Sequence, residues 1–231
     1  MSRTSLRVQS LMQLLRLLQP LESKSICING LTLPIGANVI HPAPIPYFNF
    51  ISLMRACAHR VSANDQVLEL GAGAGVWTVL AAQRGATCVA TELQTGQLEL
   101  FDEVVQHAKL PIEICYGDLF SPIKSGMFSH IFFNPPFHLV APKNEREKAF
   151  CGGKDGAVLK RFLKEAPEFL CDQGELLIIL PAYERPEYET ALKAYHIQTL
   201  QRKWLPLLGW VSALSLTVRK HKDESKYDSL D

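Results

Sequence analysis

The chain has 231 residues, 47 % of them hydrophobic, which is enough to bury the core of one full domain with a short appendage. Its 24 Lys/Arg and 23 Asp/Glu leave a formal net charge of +1, which excludes a strong overall attraction to nucleic acid. The six cysteines form no Cys-x-x-Cys pair, the seven histidines are dispersed, and no apolar run is long enough to cross a bilayer. We therefore expect reduced thiols, a cytoplasmic location and no metal site.

The first 60 residues differ in charge from the part that follows. They carry six Lys/Arg against one acid, whereas residues 61–142 carry three against eight. This is either ordinary surface variation or a basic arm beside an acidic pocket for a cationic ligand. Between residues 5 and 20, leucines recur at helical spacing around Arg7 and Arg16, which predicts an amphipathic helix; an organellar transit peptide is the alternative. We expect residues 1–60, with this helix and a small hairpin, to form an N-terminal extension.

From residue 65 onward, strand and helix patterns alternate, and two strands follow in succession near the end. The predicted strands are 66–70, 87–93, 112–117, 129–134, 174–181, 197–206 and 211–220. The predicted helices are 75–85, 96–109 (capped by Thr95), 155–171 (interrupted or kinked at Pro167) and 186–196. This order predicts an α/β domain over residues 61–220, with a doubly wound, mostly parallel sheet and one antiparallel strand at its C-terminal end. Residues 221–231 are predicted to be a polar tail.

The first strand of this sheet leads into a glycine-rich turn. Residues 69–75 are Glu-Leu-Gly-Ala-Gly-Ala-Gly, and glycine lets the chain turn tightly and lets a ligand approach the backbone. The dinucleotide fingerprint G-x-G-x-x-G is not matched, because a valine stands where the third glycine belongs, so a nicotinamide oxidoreductase is disfavoured. The spacing suits a ligand without a pyrophosphate. The turn residues predicted to bind it are Gly71, Ala72, Gly73 and Gly75.

Acidic residues stand at the ends of three successive strands, at the edge of the sheet where ligands bind. Glu92 ends the second strand, where its carboxylate can accept hydrogen bonds from two ribose hydroxyls, with Leu93 beside it. Asp118 follows the third strand and can accept from an adenine amino group, while Leu119 packs on the ring. Glu69 adds a negative charge near a cationic or ammonium-bearing tail. Together these side chains outline a nucleoside pocket.

This set of features resembles the class I S-adenosylmethionine-dependent methyltransferases over residues 65–220. The motif Val-Leu-Glu-Leu-Gly-Ala-Gly-Ala-Gly, the acids Glu92 and Asp118, and the terminal hairpin carry the resemblance. It implies a seven-stranded Rossmann-like sheet and methyltransferase activity. It also implies S-adenosylmethionine as the cofactor, lying across strands one, two and four.

The fourth strand ends in Asn-Pro-Pro-Phe, residues 134–137. A planar nitrogen is a poor nucleophile, because its lone pair is delocalised. The side-chain oxygen of Asn134 and the carbonyl of Pro135 can accept its two hydrogens and leave the lone pair aimed at a methyl group. Pro135 and Pro136 fix φ, so the direction of the carbonyl is preset, and Phe137 offers a face for stacking. We predict these four residues to be catalytic, with Asn134 also beside the cofactor.

Residues 134–137 resemble the motif of the N-P-P-[FY] methyltransferases, a group that includes the release-factor glutamine enzymes. This group contains two sets of enzymes. One acts on exocyclic amines of adenine or guanine in RNA or DNA, and the other on a glutamine amide in release factors or ribosomal proteins. The stretch His-Pro-Ala-Pro at 41–44 lacks the arginine of the glutamine enzymes, and Gly-Gly-Lys-Asp-Gly at 152–156 is similar to an element of both sets. His138 after Phe137 is similar to the ribosomal-RNA guanine enzymes, although a histidine at that place is more often at a loop surface.

We favour a purine amino group in RNA as the acceptor. A glutamine side chain in a ribosomal or translation-factor protein is the first alternative, and small-molecule or other protein acceptors follow. A protein that binds the cofactor without transferring the methyl group, and acts as a partner subunit, is the alternative from another class. In such a protein we expect the glycine turn to be degraded or Asn134 to be lost. In this sequence the glycine turn is intact and Asn134 is present.

Overall fold

The computed structural model describes residues 24–36, 39, 41–43, 49–124, 126–182, 188–205 and 208–219. The amphipathic helix predicted between residues 5 and 20 and the tail predicted at 221–231 lie outside the described residues. All six cysteines are free, as expected; three of them are buried. None of the helices in the described part of the chain has the length and apolar character needed to span a membrane.

The predicted N-terminal hairpin is present. Strands β1 (Ser25–Ile28) and β2 (Leu31–Pro34) pair antiparallel. The turn between them is Asn-Gly, with φ of +46° at Asn29 and +88° at Gly30, the combination that two-residue hairpin turns favour. Ile28 and Leu33 are buried in the common core, so the hairpin packs on the domain that follows it.

The remaining elements begin with a helix, α1, that precedes the predicted sheet. In chain order they are α1 (Ile51–Ala58), β3 (Gln66–Leu70), α2 (Val76–Ala82), β4 (Thr87–Glu92), α3 (Thr95–Ala108), β5 (Ile112–Tyr116), β6 (Phe128–Phe133), α4 (Glu145–Lys148), α5 (Ala157–Glu165), β7 (Leu170–Pro181), α6 (Glu189–Leu192), β8 (Tyr195–Leu205) and β9 (Gly209–Val218). Two 3₁₀ turns, Lys154–Gly156 and Ala166–Phe169, flank α5. The predicted boundary of the catalytic domain at residue 61 stays a prediction.

Seven strands form one sheet in the order β5-β4-β3-β6-β7-β9-β8. Neighbours from β5 to β7 are parallel, while β9 is antiparallel to both β7 and β8. The strand order reverses between β3 and β6, which places a ligand crevice at the carboxyl ends of these two strands. Central strand residues such as Leu68, Ile131 and Ile178 are fully buried, because helices cover both faces. The predicted doubly wound, seven-stranded fold is confirmed.

Two local predictions were wrong in detail, and a third agrees with the structure. The helix predicted over 155–171 with an interruption or kink at Pro167 ends at Glu165, because Pro167 has no backbone N–H to continue it, and residues 166–169 form a 3₁₀ turn. The helix predicted over 186–196 ends at Leu192, and β8 begins at Tyr195, which pairs with Val218. The cap of α3 is Gln94 rather than Thr95, and no side-chain hydrogen bond closes it.

A charged network lies at the amino ends of the strands, opposite the crevice. Arg60 Nε donates to Glu175 Oε1 over 2.9 Å, and Ser215 donates to Oε2 of the same carboxylate. His130 lies between Glu175, 3.2 Å from its Nδ1, and Asp65, 3.1 Å from its Nε2. Burial alone would raise the pKa of Glu175, but the His130, Arg60 and Ser215 donors outweigh it and lower this pKa from 4.5 to about 2. The network therefore holds an ionised carboxylate inside the sheet.

Candidate active site

A cavity of about 500 Å³ opens at the carboxyl ends of β3, β4, β5 and β6, a volume typical of small-molecule sites. It brings together twelve of the thirteen residues predicted from the sequence to bind or react. These are Glu69, Gly71, Ala72, Gly73, Glu92, Leu93, Asp118, Leu119, Asn134, Pro135, Pro136 and Phe137. They come from loops far apart in the chain, so the parallel sheet is what assembles the site.

The turn after β3 is pinned to the end of β4. Gly71 and Gly73 have φ of +61° and +54°, in the left-handed region that side chains rarely adopt. The N–H of Ala72 donates to the carbonyl of Thr91 over 2.9 Å, and the N–H of Gly73 donates to Glu92 Oε2 over 2.8 Å. At Gly71 and Gly73 the turn therefore presents backbone without a side chain to the cavity.

Gly75, predicted with the other glycines, does not line the cavity. It stands just before α2 with φ of +73°, and a Cβ there would lie 2.1 Å from Cζ of the buried ring of Phe101. Its lack of a side chain lets α3 pack against the turn. The same sequence motif thus serves the ligand crevice at two positions and helix packing at the third.

Glu92 is almost buried and already has three hydrogen-bond partners. Its Oε2 accepts from Gly73, and its Oε1 accepts from the N–H groups of Leu93 and Gln94 over 2.7 and 3.0 Å. An ionised carboxylate offers about four acceptor positions. One position on Oε2 is therefore open toward the cavity, and the bonds to the backbone hold it in place. Ribose recognition by Glu92 stays a prediction.

Glu69 lies at the floor of the cavity and is 3 % exposed. Its Oε2 accepts the backbone N–H of Thr78 over 2.8 Å and the Thr78 hydroxyl, both in the first turn of α2. Burial raises the pKa of Glu69 to about 8, against the lowering effect of the Thr78 donors. The carboxyl group thus favours its neutral form at pH 7 unless a cation lies beside it, which fits the predicted place near an ammonium group.

Asp118 is engaged by a residue that the sequence did not indicate. Its Oδ2 lies 2.6 Å from Arg161 Nη2, and both side chains are partly exposed at the rim of the cavity. Leu119 next to it has φ of +49°, which turns the chain sharply after β5. Arg161 lies on α5, far along the chain, and no spacing rule links it to Asp118. Sequence reasoning also missed other lining residues, among them Pro42, Phe50, Met54, Lys148 and Phe150.

Asn134 follows β6 and presents an unused acceptor to the cavity. Its Oδ1 is buried, and no donor among the described residues reaches it. No hydrogen bond of the described backbone ends on the carbonyl of Pro135 either. Because buried polar atoms are nearly always paired, this pair of oxygens is poised for donors supplied by a ligand. Pro135 and Phe137 are buried beside it.

The Asn-Pro-Pro-Phe segment is held from behind by residues 150–153. The N–H of His138 donates to the carbonyl of Phe150 over 2.9 Å, and the N–H of Gly152 donates to the carbonyl of His138 over 2.8 Å. A Cβ on Gly152 would lie 2.2 Å from the carbonyl oxygen of Pro136. The first glycine of the Gly-Gly-Lys-Asp-Gly element is therefore what allows this close approach.

The expectation that His138 lies on a loop surface was wrong. Its side chain is 1 % exposed and lines the cavity, with its ring edge-on to Phe137 at 4.8 Å. Neither ring nitrogen has a partner among the described residues, and burial lowers the pKa of His138 to about 4. The two backbone bonds to residues 150–152 draw it inward. It is a neutral imidazole at physiological pH, with a donor and an acceptor available to a ligand.

The model of the methyltransferase small domain family matches residues 52–202, a span that includes the glycine turn, the strand-end acids and the Asn-Pro-Pro-Phe segment. The chain belongs to this family. The predicted class is thereby confirmed: the protein is a class I methyltransferase with S-adenosylmethionine as its cofactor.

Among curated relatives, a protein of Methanocaldococcus jannaschii that carries the provisional name protein N5-glutamine methyltransferase is 31 % identical over 175 residues, 72 % of this chain and 83 % of that protein. The ribosomal protein uL3 glutamine methyltransferase of Bradyrhizobium diazoefficiens is 33 % identical, over 50 % of this chain and 40 % of its own length. The ribosomal RNA small subunit methyltransferase C of Alcanivorax borkumensis is 26 % identical, over 71 % and 49 %. The chain thus spans about half or less of the latter two relatives.

Among solved structures, the 16S rRNA N2 G1207 methyltransferase of Thermus thermophilus, determined with AdoMet and guanosine, superposes with a TM-score of 0.60. The match has 22 % identity and covers 84 % of this chain and 50 % of that one. At this level of identity the likeness concerns the fold, and it agrees with the sheet order described above.

Proposed function

We propose that the protein methylates a planar exocyclic nitrogen, the amino group of adenine or guanine in RNA. The observation that carries the proposal is the buried side-chain oxygen of Asn134, which has no donor among the described residues. Leaving a buried acceptor without a partner costs about 1–3 kcal/mol. Such an unpaired acceptor is expected where a substrate supplies the donor. An amino group has two hydrogens, one for Asn134 Oδ1 and one for the carbonyl oxygen of Pro135.

Asn134 and Pro135 would act by orienting the nitrogen. Accepting both of its hydrogens favours pyramidal geometry and turns the lone pair toward the methyl group, which S-adenosylmethionine supplies as an activated sulfonium methyl. Pro135 and Pro136 preset these acceptors, so little reorganisation is needed during transfer. Most of the rate enhancement would come from positioning, worth up to about 7–11 kcal/mol in favourable cases. The nitrogen would gain the methyl group as the sulfonium S–CH₃ bond breaks, with S-adenosylhomocysteine as the leaving group, and would then release one of its hydrogens as a proton to water. No strong general base is required, and His138, neutral and buried, is suited to hydrogen bonding rather than to holding a charge.

The residues present fit a nucleoside with a charged tail. The glycine turn leaves the backbone open, since a Cβ on Gly73 would already press on Val39 at 3.2 Å. Glu92 has one acceptor position left for a ribose hydroxyl, and Glu69 lies where it can neutralise an ammonium group. Asp118 would accept from an adenine amino group while it remains paired to Arg161 through its other lone pairs.

The aromatic lining supports a purine as the acceptor. Three phenylalanines line the cavity together with Asn134: Phe137, Phe150 and Phe50, which directly precedes α1. Flat apolar faces stack with a nucleobase, which has two π faces, more favourably than with a small amide. The ribosomal-RNA relative supports the same substrate class. This proposal also places the protein in the cytoplasm, in agreement with its free thiols.

A glutamine side chain is the second candidate, because two of the relatives are named for it and one of them has nearly the same length as this chain. The carboxamide of glutamine is also a planar nitrogen with two hydrogens, so the acceptor pair suits it equally. The two candidates therefore differ in what surrounds the nitrogen, not in the transfer step.

The test uses tritiated S-adenosylmethionine and an extract from cells that lack the protein. After addition of the purified enzyme, the label is followed through nuclease and protease digestion. Label that nuclease releases on a methylated purine nucleoside supports the proposal. Label that resists nuclease, yields to protease and is recovered as methylglutamine replaces it with the second candidate. Tight cofactor binding with no label in either fraction contradicts both and favours a small-molecule acceptor or a silent partner subunit.

A further inference from the structure

Two exposed tryptophans face each other at the tip of the β8–β9 hairpin. Trp204 and Trp210 are direct cross-strand partners, and they are 58 % and 51 % exposed. The guanidinium carbon of Arg202 lies 5.2 Å from the centroid of the Trp210 ring. We refer to Arg202, Trp204 and Trp210 as the tryptophan platform. Large aromatic side chains at this exposure leave apolar surface in water, which marks a binding surface more often than a structural one.

The platform occupies one face of the hairpin, at the end of the sheet. Lys203, whose side chain points to the other face, donates to the carbonyl of Asn49 over 3.0 Å and so faces α1. On the inner side, β7 ends at Pro181, which pairs with Val211, and the next residue, Ala182, donates its N–H to the carbonyl of Trp210 over 2.8 Å. Trp204 and Trp210 nevertheless remain more than half exposed.

The platform lies at the same edge of the sheet as the active site. Through the registers of β7 and β9, Phe133 at the end of β6 is level with Thr199 in β8. Trp204 lies about 13 Å further along β8, since each residue advances about 3.3 Å and a bulge absorbs one. It is three strands from β6, or about 14 Å across. The platform is therefore on the β7 side of Asn134, away from the β4 and β5 ends predicted to hold the cofactor.

The charge beside the platform is positive. The hairpin tip from residue 201 to residue 212 contains no acid, and its two charged residues are Arg202 and Lys203. Among the described residues no carboxylate pairs with Arg202, which is exposed above Trp210. Arg202 therefore leaves a positive charge beside the two rings, and the platform is expected to bind an anion with flat apolar groups.

We propose that the tryptophan platform binds unpaired bases of the RNA substrate next to the nucleotide that is methylated. This inference rests on the proposed function and adds a second contact to it. Trp204 and Trp210 would stack on bases, while Arg202 contributes cation–π contact and attracts phosphate. A short single-stranded segment would bridge the separation from Asn134. Stacking is tolerant of base identity, so the platform would supply affinity and leave the choice of nitrogen to the cavity.

The experiment compares the wild type with the double variant Trp204→Ala/Trp210→Ala. The matched control is Tyr116→Ala, an aromatic side chain 60 % exposed on β5, the opposite edge strand of the same sheet. Binding of fluorescently labelled single-stranded oligouridine is measured by anisotropy at low and physiological salt, and S-adenosylmethionine binding is measured by calorimetry. The remaining tryptophan, Trp77, is fully buried, so quenching of the wild-type fluorescence by oligouridine reports on the platform.

We expect the double variant to bind oligouridine at least about tenfold more weakly than the wild type. The control variant should bind oligouridine as the wild type does, and the affinity for S-adenosylmethionine should be the same in all three proteins. Arg202→Gln should weaken binding and reduce its salt dependence by about one unit of slope. Equal RNA binding by the wild type and the double variant overturns the platform but leaves the proposed function intact if the tritium label is still found on RNA. Label found on a protein, together with loss of that methylation in the double variant, makes the platform a protein-docking surface and overturns this inference along with the RNA substrate.

Discussion

At the end of β6, the side chain of Asn134 keeps a buried acceptor that no donor among the described residues reaches, and this is unusual because folding normally pairs such atoms. The atom makes no contact that stabilises the described fold. Removing this oxygen should therefore slow methyl transfer and change the stability of the protein very little. The acceptor pair formed by this oxygen and the carbonyl of Pro135 can therefore be tested for a role in methyl transfer separately from a role in folding.

Asn134→Ala should lower the single-turnover rate of methyl transfer about 10²–10³-fold, the loss expected when one preorganised hydrogen-bond partner is removed. The dissociation constant for S-adenosylmethionine should change less than about twofold, and the free energy of unfolding should fall by no more than about 1 kcal/mol. Rapid-quench kinetics, calorimetry and urea unfolding measure the three quantities. Wild-type turnover in Asn134→Ala would rule out the acceptor pair.

Glu92→Gln should weaken cofactor binding, because the amide replaces one of two oxygens that accept from the backbone and from the predicted ribose. We expect the dissociation constant for S-adenosylmethionine to rise about tenfold or more, the effect of losing a charge-assisted hydrogen bond. Asp118→Asn serves as the comparison and should have a smaller effect, since that carboxylate is half-exposed and shared with Arg161. If the Glu92 variant binds as tightly as the wild type in calorimetry, the ribose lies elsewhere.

At the level of the elements, the position of the Asn-Pro-Pro-Phe segment depends on residues 150–152, which pair with His138 directly after it. Gly152→Ala places a Cβ at 2.2 Å from the carbonyl oxygen of Pro136, so the segment must move. Such overpacking typically costs about 1–3 kcal/mol of unfolding free energy, and a displaced acceptor pair should reduce turnover at least about tenfold.

The control for this substitution is Gly96→Ala in the first turn of α3, where a Cβ meets nothing within 4 Å. That variant should keep full activity and gain slightly in stability, because alanine is the better helix former. Methyl-transfer assays and urea unfolding compare the two variants. Similar activity in both would show that the segment adjusts to the added methyl group.

The parts of the site that could be predicted from the sequence are those written in local patterns. The glycine turn follows a short apolar strand, and Glu92 and Asn134 each stand at a strand end, so their convergence follows from the parallel sheet. The pairing of Asp118 with Arg161 and the burial of His138 depend on how α5 and residues 150–153 pack against the sheet. No periodicity in the sequence encodes those contacts.

For the whole molecule, the carboxylate of Glu175 links stability to pH. Its pKa in the folded protein, about 2, lies below the ordinary 4.5. The ionised form therefore contributes stability that is fully present above pH 4.5 and is lost as the pH falls from 4.5 toward 2. Arg60, His130 and Ser215 are the groups that lower the pKa of Glu175, so the effect belongs to the network as a unit.

Urea unfolding across this pH window should show a steeper loss of free energy for the wild type than for Glu175→Gln, by up to about 2–3 kcal/mol at the acid end. Glu103→Gln, an exposed carboxylate on α3, is the control and should follow the wild type. Parallel curves for the wild type and Glu175→Gln would mean that the donors around Glu175 do not stabilise its charge.

The order of the last two strands was not predicted in full. The sequence indicates a terminal hairpin with one antiparallel strand, and the structure inserts β9 between β7 and β8. Burial explains this choice. From Val211 to Leu216 only Ser212 in β9 is not buried, whereas β8 alternates with exposed residues such as Gln198 and Arg202, as an edge strand does. Which strand pairs with β7 depends on the neighbouring strands and helices, and the sequence of one strand does not show these neighbours.

That insertion has a consequence for the chain as it leaves the ribosome. Strand β8 is made before β9, yet it has no neighbour until β9 arrives, and the apolar edge of β7 from Leu176 to Leu180 stays open for the same interval. Domains fold as they emerge, and unpaired apolar edges are where nascent chains associate. Premature termination between the end of β7 and the start of β9 is therefore expected to produce an aggregating fragment instead of a shortened enzyme, although every residue of the cofactor crevice has by then been translated.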